Sequence, residues 1–269
     1  MELSDLIVPR NSCRCAVLIP THKVEFHPIE KYCISKTIKT LCRWDVFFIL
    51  PESLSSNLSI FFPEVESIKF ADKNFQNVDQ YNRFRLSAEL HKKFILYDRM
   101  LICEPDAIVM SDHIDRWSAE PIDYVGAPWF NLLSMKPNFE SRPDLNGVEY
   151  KLDVGNGGLC MVNPRSILHI LDKHSDLVKE FLLRSGGQLN SDAFLAFLGG
   201  IDSEFKLASR AEAVEFSLEL DANRALLDSG RLPMGFHAMY KYDPKLWQYI
   251  FPDSPDPRDM PQVASPFAG

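Results

Sequence analysis

Apolar residues fall along this chain in short dense runs, separated by polar stretches with helical spacing. Cys15-Ala16-Val17-Leu18-Ile19 is one uninterrupted run, stopped by Pro20. Asp45-Val46-Phe47-Phe48-Ile49-Leu50 is a second, stopped by Pro51. Such runs lack polar alternation, as strands covered on both faces do. Residues 65–70 predict a weaker strand, 99–103 a central one and 124–127 a short extended piece. Residues 158–162 predict another buried strand. Residues 29–41 read as a helix. So do 79–94, with Tyr81, Phe84, Leu86, Leu90 and Phe94 at apolar positions. Asn163 and Pro164 are suited to the cap and first position of a further helix, which Gly186-Gly187 would end. Ser209-Arg210-Ala211-Glu212 is a capping box that opens another.

Buried strands alternating with helices predict an α/β fold with a mostly parallel central sheet flanked by helices. No linker divides the chain, so a single domain is expected over 13–251, with a Pro-rich tail, flexible or draped on the surface, over 252–269. Residues 130–153, rich in Pro, Asn and charge, read as a long loop over the carboxyl edge of the sheet. Ligands bind at that edge in folds of this kind.

Composition narrows the function. The 269 residues carry a net charge of −8, which argues against a nucleic-acid partner, for which a basic face is expected, and leaves room for one small basic pocket for a diphosphate. The six cysteines (13, 15, 33, 42, 103 and 160) include no C-x-x-C pair, and several sit in apolar runs. They read as reduced and structural, and Cys13-x-Cys15 lacks partners at zinc spacing. An acidic start, Met1-Glu2-Leu3-Ser4-Asp5, and the lack of 18 consecutive apolar residues predict a cytoplasmic chain without a transmembrane span.

The most informative chemistry is the end of the central strand, Met100-Leu101-Ile102-Cys103-Glu104-Pro105-Asp106. Two carboxylates two residues apart share a face if the segment stays extended, and Pro105 favours a strand end or bulge. Two acids at such an exit suit a divalent cation and a diphosphate, or stand as solvated turn residues. Val154-Gly155-Asn156-Gly157-Gly158 suits close backbone approach to a ligand, or a tight turn. Asp192, in Asn190-Ser191-Asp192, reads as a first-turn residue of a short helix ending before Gly199-Gly200. It is a candidate general base or metal-shell acid, or a plain dipole complement. His237, in a Gly-containing apolar loop, is a candidate metal ligand, phosphate donor or packed core group. Trp129 suits stacking on a sugar face or closing the core. Arg83, Arg85, Lys92 and Lys93 read as a solvated helix face, with a local basic wall as the alternative.

Taken in order, several of these segments resemble a microbial family of unknown function related to GT-A-fold glycosyltransferases of the polysaccharide-biosynthesis type. The matching pieces are Tyr81-Asn82-Arg83, the run from Tyr97 to Ala107, Asp123 to Trp129, Val154 to Gly158, Asn190-Ser191-Asp192, Glu212 to Glu219 and Pro233 to Ala238. The resemblance implies a GT-A fold and transfer of a sugar from a nucleotide-sugar donor to a glycan or other hydroxyl acceptor. It implies that Asp106, with Glu104 and His237, holds a divalent cation, Mn²⁺ or Mg²⁺, and that Asp192 is the catalytic base. Relatives often carry an uncharged residue at the position of Glu104, and Glu at that of Ser191. Pro20, Thr21, His22, Asn82 and Arg83 are assigned to base and ribose; Asn156, Gly157 and Trp129 are assigned to sugar or acceptor. A lipid-linked acceptor would add peripheral membrane association. The competing readings are a GT-A-like domain that binds a glycan or partner without turnover, and a nucleotidyltransferase. The latter calls for a Gly-rich basic loop after the first strand, where Thr21-His22-Lys23-Val24-Glu25 has no Gly.

Overall fold

The computed structural model describes residues 15–54, 58–183 and 190–259. The central sheet has six strands. They are β1 (Cys15–Pro20), β2 (Asp45–Pro51), β3 (Glu66–Phe70), β4 (Arg99–Cys103), β6 (Tyr124–Met135) and β7 (Tyr150–Val162), with β5 (Ala107–Val109) lying outside it. Their order is β3-β2-β1-β4-β7-β6. The first four are mutually parallel, and β7 runs antiparallel to both β4 and β6. The sheet is therefore mostly parallel, with one reversed strand. Along β1, Ala16 and Leu18 enter the core on one face while Cys15 and Val17 enter the core on the other. Both faces are covered, which is why these strands read as unbroken apolar runs.

A second sheet, absent from the sequence reading, has the order β5-β9-β8, with β8 at Ser217–Leu218 and β9 at Gly235–His237. It pairs β5 antiparallel to β9, with Ala107 opposite His237, and β8 parallel to β9, with Leu218 opposite Phe236.

Several expectations need correction. Residues 79–94 form two helices, Val78–Arg85 and Ala88–Lys93. Ser87 makes the break: its hydroxyl donates to the Phe84 carbonyl at 2.7 Å and accepts the Leu90 amide at 3.4 Å. A Ser side chain that satisfies backbone groups locally competes with helix continuation. Residues 130–153 are loop only in the middle: β6 and β7 extend into both ends of the segment as a hairpin, joining Leu133 to Leu152 and Met135 to Tyr150. Leu133, Met135, Tyr150 and buried Leu152 cover the core on one face, a period of two that the polar residues between them masked. The loop itself is 136–149. The helix from Pro164 stops at Lys173, and a second, Ser175–Leu183, follows; Gly186-Gly187 lies outside the described residues, as does Cys13. Helix Ser191–Ile201 runs through Gly199 and Gly200 instead of ending before them. A Cβ on Gly199 would collide with Leu207, so the missing side chain serves packing.

Two helix starts fall as expected. Asn163 accepts the Arg165 and Ser166 amides, and Ser209 with Glu212 forms the capping box. The five described cysteines are free, and only Cys42 is exposed. Of the tail, residues 252–259 are described; Ser254 is buried and accepts the Trp247 indole N–H at 2.8 Å. No helix among the described residues is long and apolar enough to cross a membrane.

Candidate functional site

The carboxyl ends of β1 and β4 meet the middle of β7 at one edge of the sheet, since Cys103 pairs with Leu159. Chain direction reverses there. The Glu104 amide donates to the Gly158 carbonyl at 2.8 Å and the Ala107 amide to the Glu104 carbonyl at 2.8 Å. This turn around Pro105 starts β5, and β5 carries Asp106 to His237. The Ala238 amide closes the pairing by donating to the Asp106 carbonyl at 3.1 Å.

Glu104, Asp106 and His237 each offer a ligand atom, all within 4.8 Å of one another. His237 Nε2 lies 3.3 Å from Asp106 Oδ1 and 3.6 Å from Glu104 Oε2. The two carboxylates suit Mn²⁺ and Mg²⁺ alike, and the imidazole nitrogen suits the transition metal Mn²⁺ better than Mg²⁺. The imidazole already presents Nε2 toward both acids, so the residues fit a divalent cation. Lys241, unforeseen from the sequence, places Nζ 2.6 Å from Asp106 Oδ2. Burial opposes ionisation of Asp106, but His237 and then Lys241 outweigh it and hold the carboxyl well below its usual range. Burial likewise opposes charge on His237, yet Asp106, Glu104 and Glu219 together raise its pKa well above the ordinary value. The acids thus gather positive charge from two side chains at the place where a dication would supply it.

The glycine segment lies in β7 and wraps the other side of the cluster. Gly155 sits at φ +139°, a conformation that L side chains rarely adopt, and its carbonyl accepts the Tyr124 hydroxyl. Asn156 donates its amide to Glu219 and accepts the Gly158 amide at 3.2 Å. A Cβ on Gly157 would lie 2.7 Å from Arg85, and one on Gly158 would fall on the His237 ring. Adjacent strand residues face opposite ways, so the two glycines admit a guanidinium on one face and an imidazole on the other.

Arg85 is 5% exposed, which corrects the solvated-face reading. It donates to the Gly157 carbonyl at 2.9 Å and to Cys160 Sγ at 3.1 Å, and lies 3.8 Å from Glu104. Asp192 accepts the Gly157 amide at 3.1 Å and its neighbour Ala193's amide at 2.7 Å. Burial raises the Asp192 pKa, while Arg85 and the two amides work against that rise.

Among the other sequence candidates, Asn82 accepts the Ser191 amide at 2.9 Å and hydroxyl at 2.7 Å, and donates to the Val78 carbonyl at 3.1 Å. It clamps the start of the helix that carries Asp192. Arg83 is half-buried on the same helix as Asn82. Pro20 and Thr21 are buried at the end of β1, Thr21 turning the chain through Lys23, while His22 is exposed. Trp129 is half-buried close to Gly155. A groove of about 240 Å³ lined by Arg165, His169 and Glu204 follows the far end of β7, at the opposite edge of the sheet.

Sequence reasoning missed Lys241, Glu219 and the buried state of Arg85. Lys241 sits on the short helix Met239–Tyr242, after strand β9 and left-handed Ala238, so no helical spacing links it to His237. For all three the signal is tertiary.

Among solved structures, the chain is similar to WbbM, a bifunctional glycosyltransferase in its apo form. The TM-score is 0.54 and the identity 14%, over 87% of this chain and 47% of that one. It is also similar to an active-site mutant of LgtC, with a TM-score of 0.50 and 12% identity over 79% of this chain and 77% of that one. The chain thus spans about half the length of WbbM. At these identities the likeness shows the fold, which is the GT-A glycosyltransferase type. No curated protein sequence matches the chain. The profile of a family described as protein of unknown function (DUF5672) matches residues 64–237, more than half of the length and every residue from β3 to His237. The chain belongs to the DUF5672 family.

Proposed function

We propose that this protein is a glycosyltransferase that moves a sugar from a nucleotide-sugar donor to a hydroxyl acceptor with the help of a divalent cation. The observation that carries this reading is the convergence of Glu104, Asp106 and His237 at the carboxyl edge of a GT-A sheet. In transfer, the acceptor oxygen forms a bond to the anomeric carbon as the bond to the diphosphate oxygen breaks. Negative charge grows on the leaving diphosphate, and Glu104, Asp106 and His237 would hold a cation that would supply the opposing charge. Lys241, released from Asp106, would face the same phosphates. Asp192 takes the acceptor proton, helped by the burial that makes it a better base. Pro20, Thr21, His22 and Arg83 border the nucleotide side. Asn156, Gly157 and Trp129 border the sugar side, and Asn82 adds its clamp on the Asp192 helix.

A second reading, a GT-A-like binding domain without turnover, is favoured by one observation. Both Asp192 carboxylate oxygens already accept backbone amides, as a structural acid's would. Thermal shifts with nucleoside diphosphates, with and without Mn²⁺, followed by hydrolysis of UDP-, GDP-, ADP- and dTDP-sugars, separate the two. Stabilisation with turnover supports the transferase. Stabilisation without hydrolysis or transfer supports the binding domain, and no response to any nucleotide overturns the transferase.

A further inference from the structure

We infer that Glu219 is the positioning residue that orients the His237 imidazole toward the cation site. This rests on the reading of Glu104, Asp106 and His237 as cation ligands.

The three-stranded sheet lays these residues in a row. Ala107 pairs with His237 on one side of β9, which puts Asp106 beside the ring. Leu218, the last residue of β8, pairs with Phe236 on the other side, so Glu219, directly after the strand, comes up beside His237. Glu219 Oε1 lies 3.5 Å from His237 Nδ1, while Nε2 faces Asp106 and Glu104. Nδ1 is buried and makes no hydrogen bond of good geometry, and Glu219 is itself 8% exposed. A buried ring nitrogen without a bond is costly, and the carboxylate facing it is the group able to accept its proton.

The chemistry follows from the two ring nitrogens. An imidazole that gives Nε2 to a cation carries its proton on Nδ1, and a carboxylate accepting that proton fixes the ring and strengthens it as a donor. Glu219 is held for this from its other side: Oε2 accepts the Asn156 amide, and the Tyr242 hydroxyl also reaches Glu219. Asn156 in turn holds the Gly158 amide, under the imidazole. The backbone is constrained at the same two places. Ala238, directly after His237, has φ 48°, and Asp221, two after Glu219, has φ 52°; among the described residues these are the only non-glycine positions with positive φ. Such conformations persist where the surroundings over-determine them, and they cluster at functional sites.

The test is calorimetric titration of Mn²⁺ into the full chain, with no substrate present. The proteins are wild type, Glu219→Gln, Glu219→Ala, His237→Ala and the double variant Glu219→Ala with His237→Ala. Outer partners of a ligating His are worth roughly 10- to 100-fold in metal affinity. Glu219→Ala is expected to weaken Mn²⁺ by that range and Glu219→Gln by less. In the His237→Ala background the loss of Glu219 should change the affinity by under twofold, because its effect passes through the ring. Equal affinity in wild type and Glu219→Ala overturns the inference alone. So does an undiminished loss in the His237→Ala background, which would make Glu219 a general electrostatic contributor. Wild type that binds neither Mn²⁺ nor Mg²⁺ overturns the cation reading and the inference with it. Urea midpoints show that each variant is folded, and Glu219→Gln carries the test if Glu219→Ala is not.

Discussion

Gly158 leaves the space that the His237 imidazole fills. The ring lies where a Cβ at 158 would stand, so β7 and β9 touch through a missing side chain. Gly158→Ala must push the ring out or shift two strands. The expected cost is about 1–3 kcal/mol, as for overpacking elsewhere. Gly200 is the internal control: it is exposed near a helix end, with nothing within 4 Å of its added Cβ. Gly200→Ala should be neutral or stabilising by up to about 1 kcal/mol. Urea midpoints of the two variants check this. A Gly158→Ala protein as stable as wild type would mean that the ring has another place to go.

Asp106→Asn tests the cation. Asp106 meets His237 and Lys241 together, so it is the acid with the most positive charge around it. A neutral amide is a poorer ligand for a hard cation, so most of the Mn²⁺-dependent rise in melting temperature should vanish. An undiminished rise would move the cation elsewhere and leave the fold untouched.

Asp192→Asn tests chemistry against capping. The amide oxygen can still accept the Gly157 or Ala193 amide, so the local geometry is largely kept. Loss of a general base should lower transfer roughly 10²–10⁴-fold. Donor affinity should change little, because the interaction matters mainly in the transition state. Transfer near the wild-type rate would return Asp192 to a structural role. Unfolding of the variant would show that its two amide contacts matter more than any proton.

Buried His91 makes stability depend on pH. Its Nε2–H donates to the Arg85 carbonyl at 2.8 Å, the carbonyl left over where the helix breaks. Burial, and then the nearby Arg85 charge, push its pKa down to about 4 against the helping hydrogen bond. The unfolded chain takes up the proton near pH 6.5 and the folded one only near pH 4. Stability is therefore full above about pH 6.5 and falls as pH drops toward 4, by about 1.4 kcal/mol per unit. The whole loss is of order 3 kcal/mol. Urea midpoints at pH 7, 6 and 5 should show this slope in wild type and a flatter one in His91→Gln. Parallel slopes would assign the effect to other groups.

The strands and the acid pair were legible in the chain because their causes are local. Five buried residues ending in Glu104-Pro105-Asp106 must carry those carboxylates to a strand's exit, whatever surrounds it. The hairpin of β6 and β7 was not legible. Its outer residues alternate only weakly, and pairing such as Leu133 with Leu152 becomes favourable once the core supplies a surface for them. Arg85 was misread for a related reason. Its charge reads as solvent-facing until the break at Ser87 and the bare Cα of Gly157 give the guanidinium a buried carbonyl to bond.

The site itself needed the tertiary structure. By itself the sequence determined an α/β chain with two acids at a strand end, a glycine segment, an acid at a helix start and a late histidine. Each had a plain structural alternative, because nothing in the spacing says what they face. The fold decided that His237 arrives beside Asp106, that Lys241, 135 residues from Asp106 in the chain, pairs with it, and that Glu219 stands behind the ring. Those meetings are set by β5, β8 and β9, strands of two or three residues. Strands so short hold no periodic pattern to read, and only the surrounding core holds them in register.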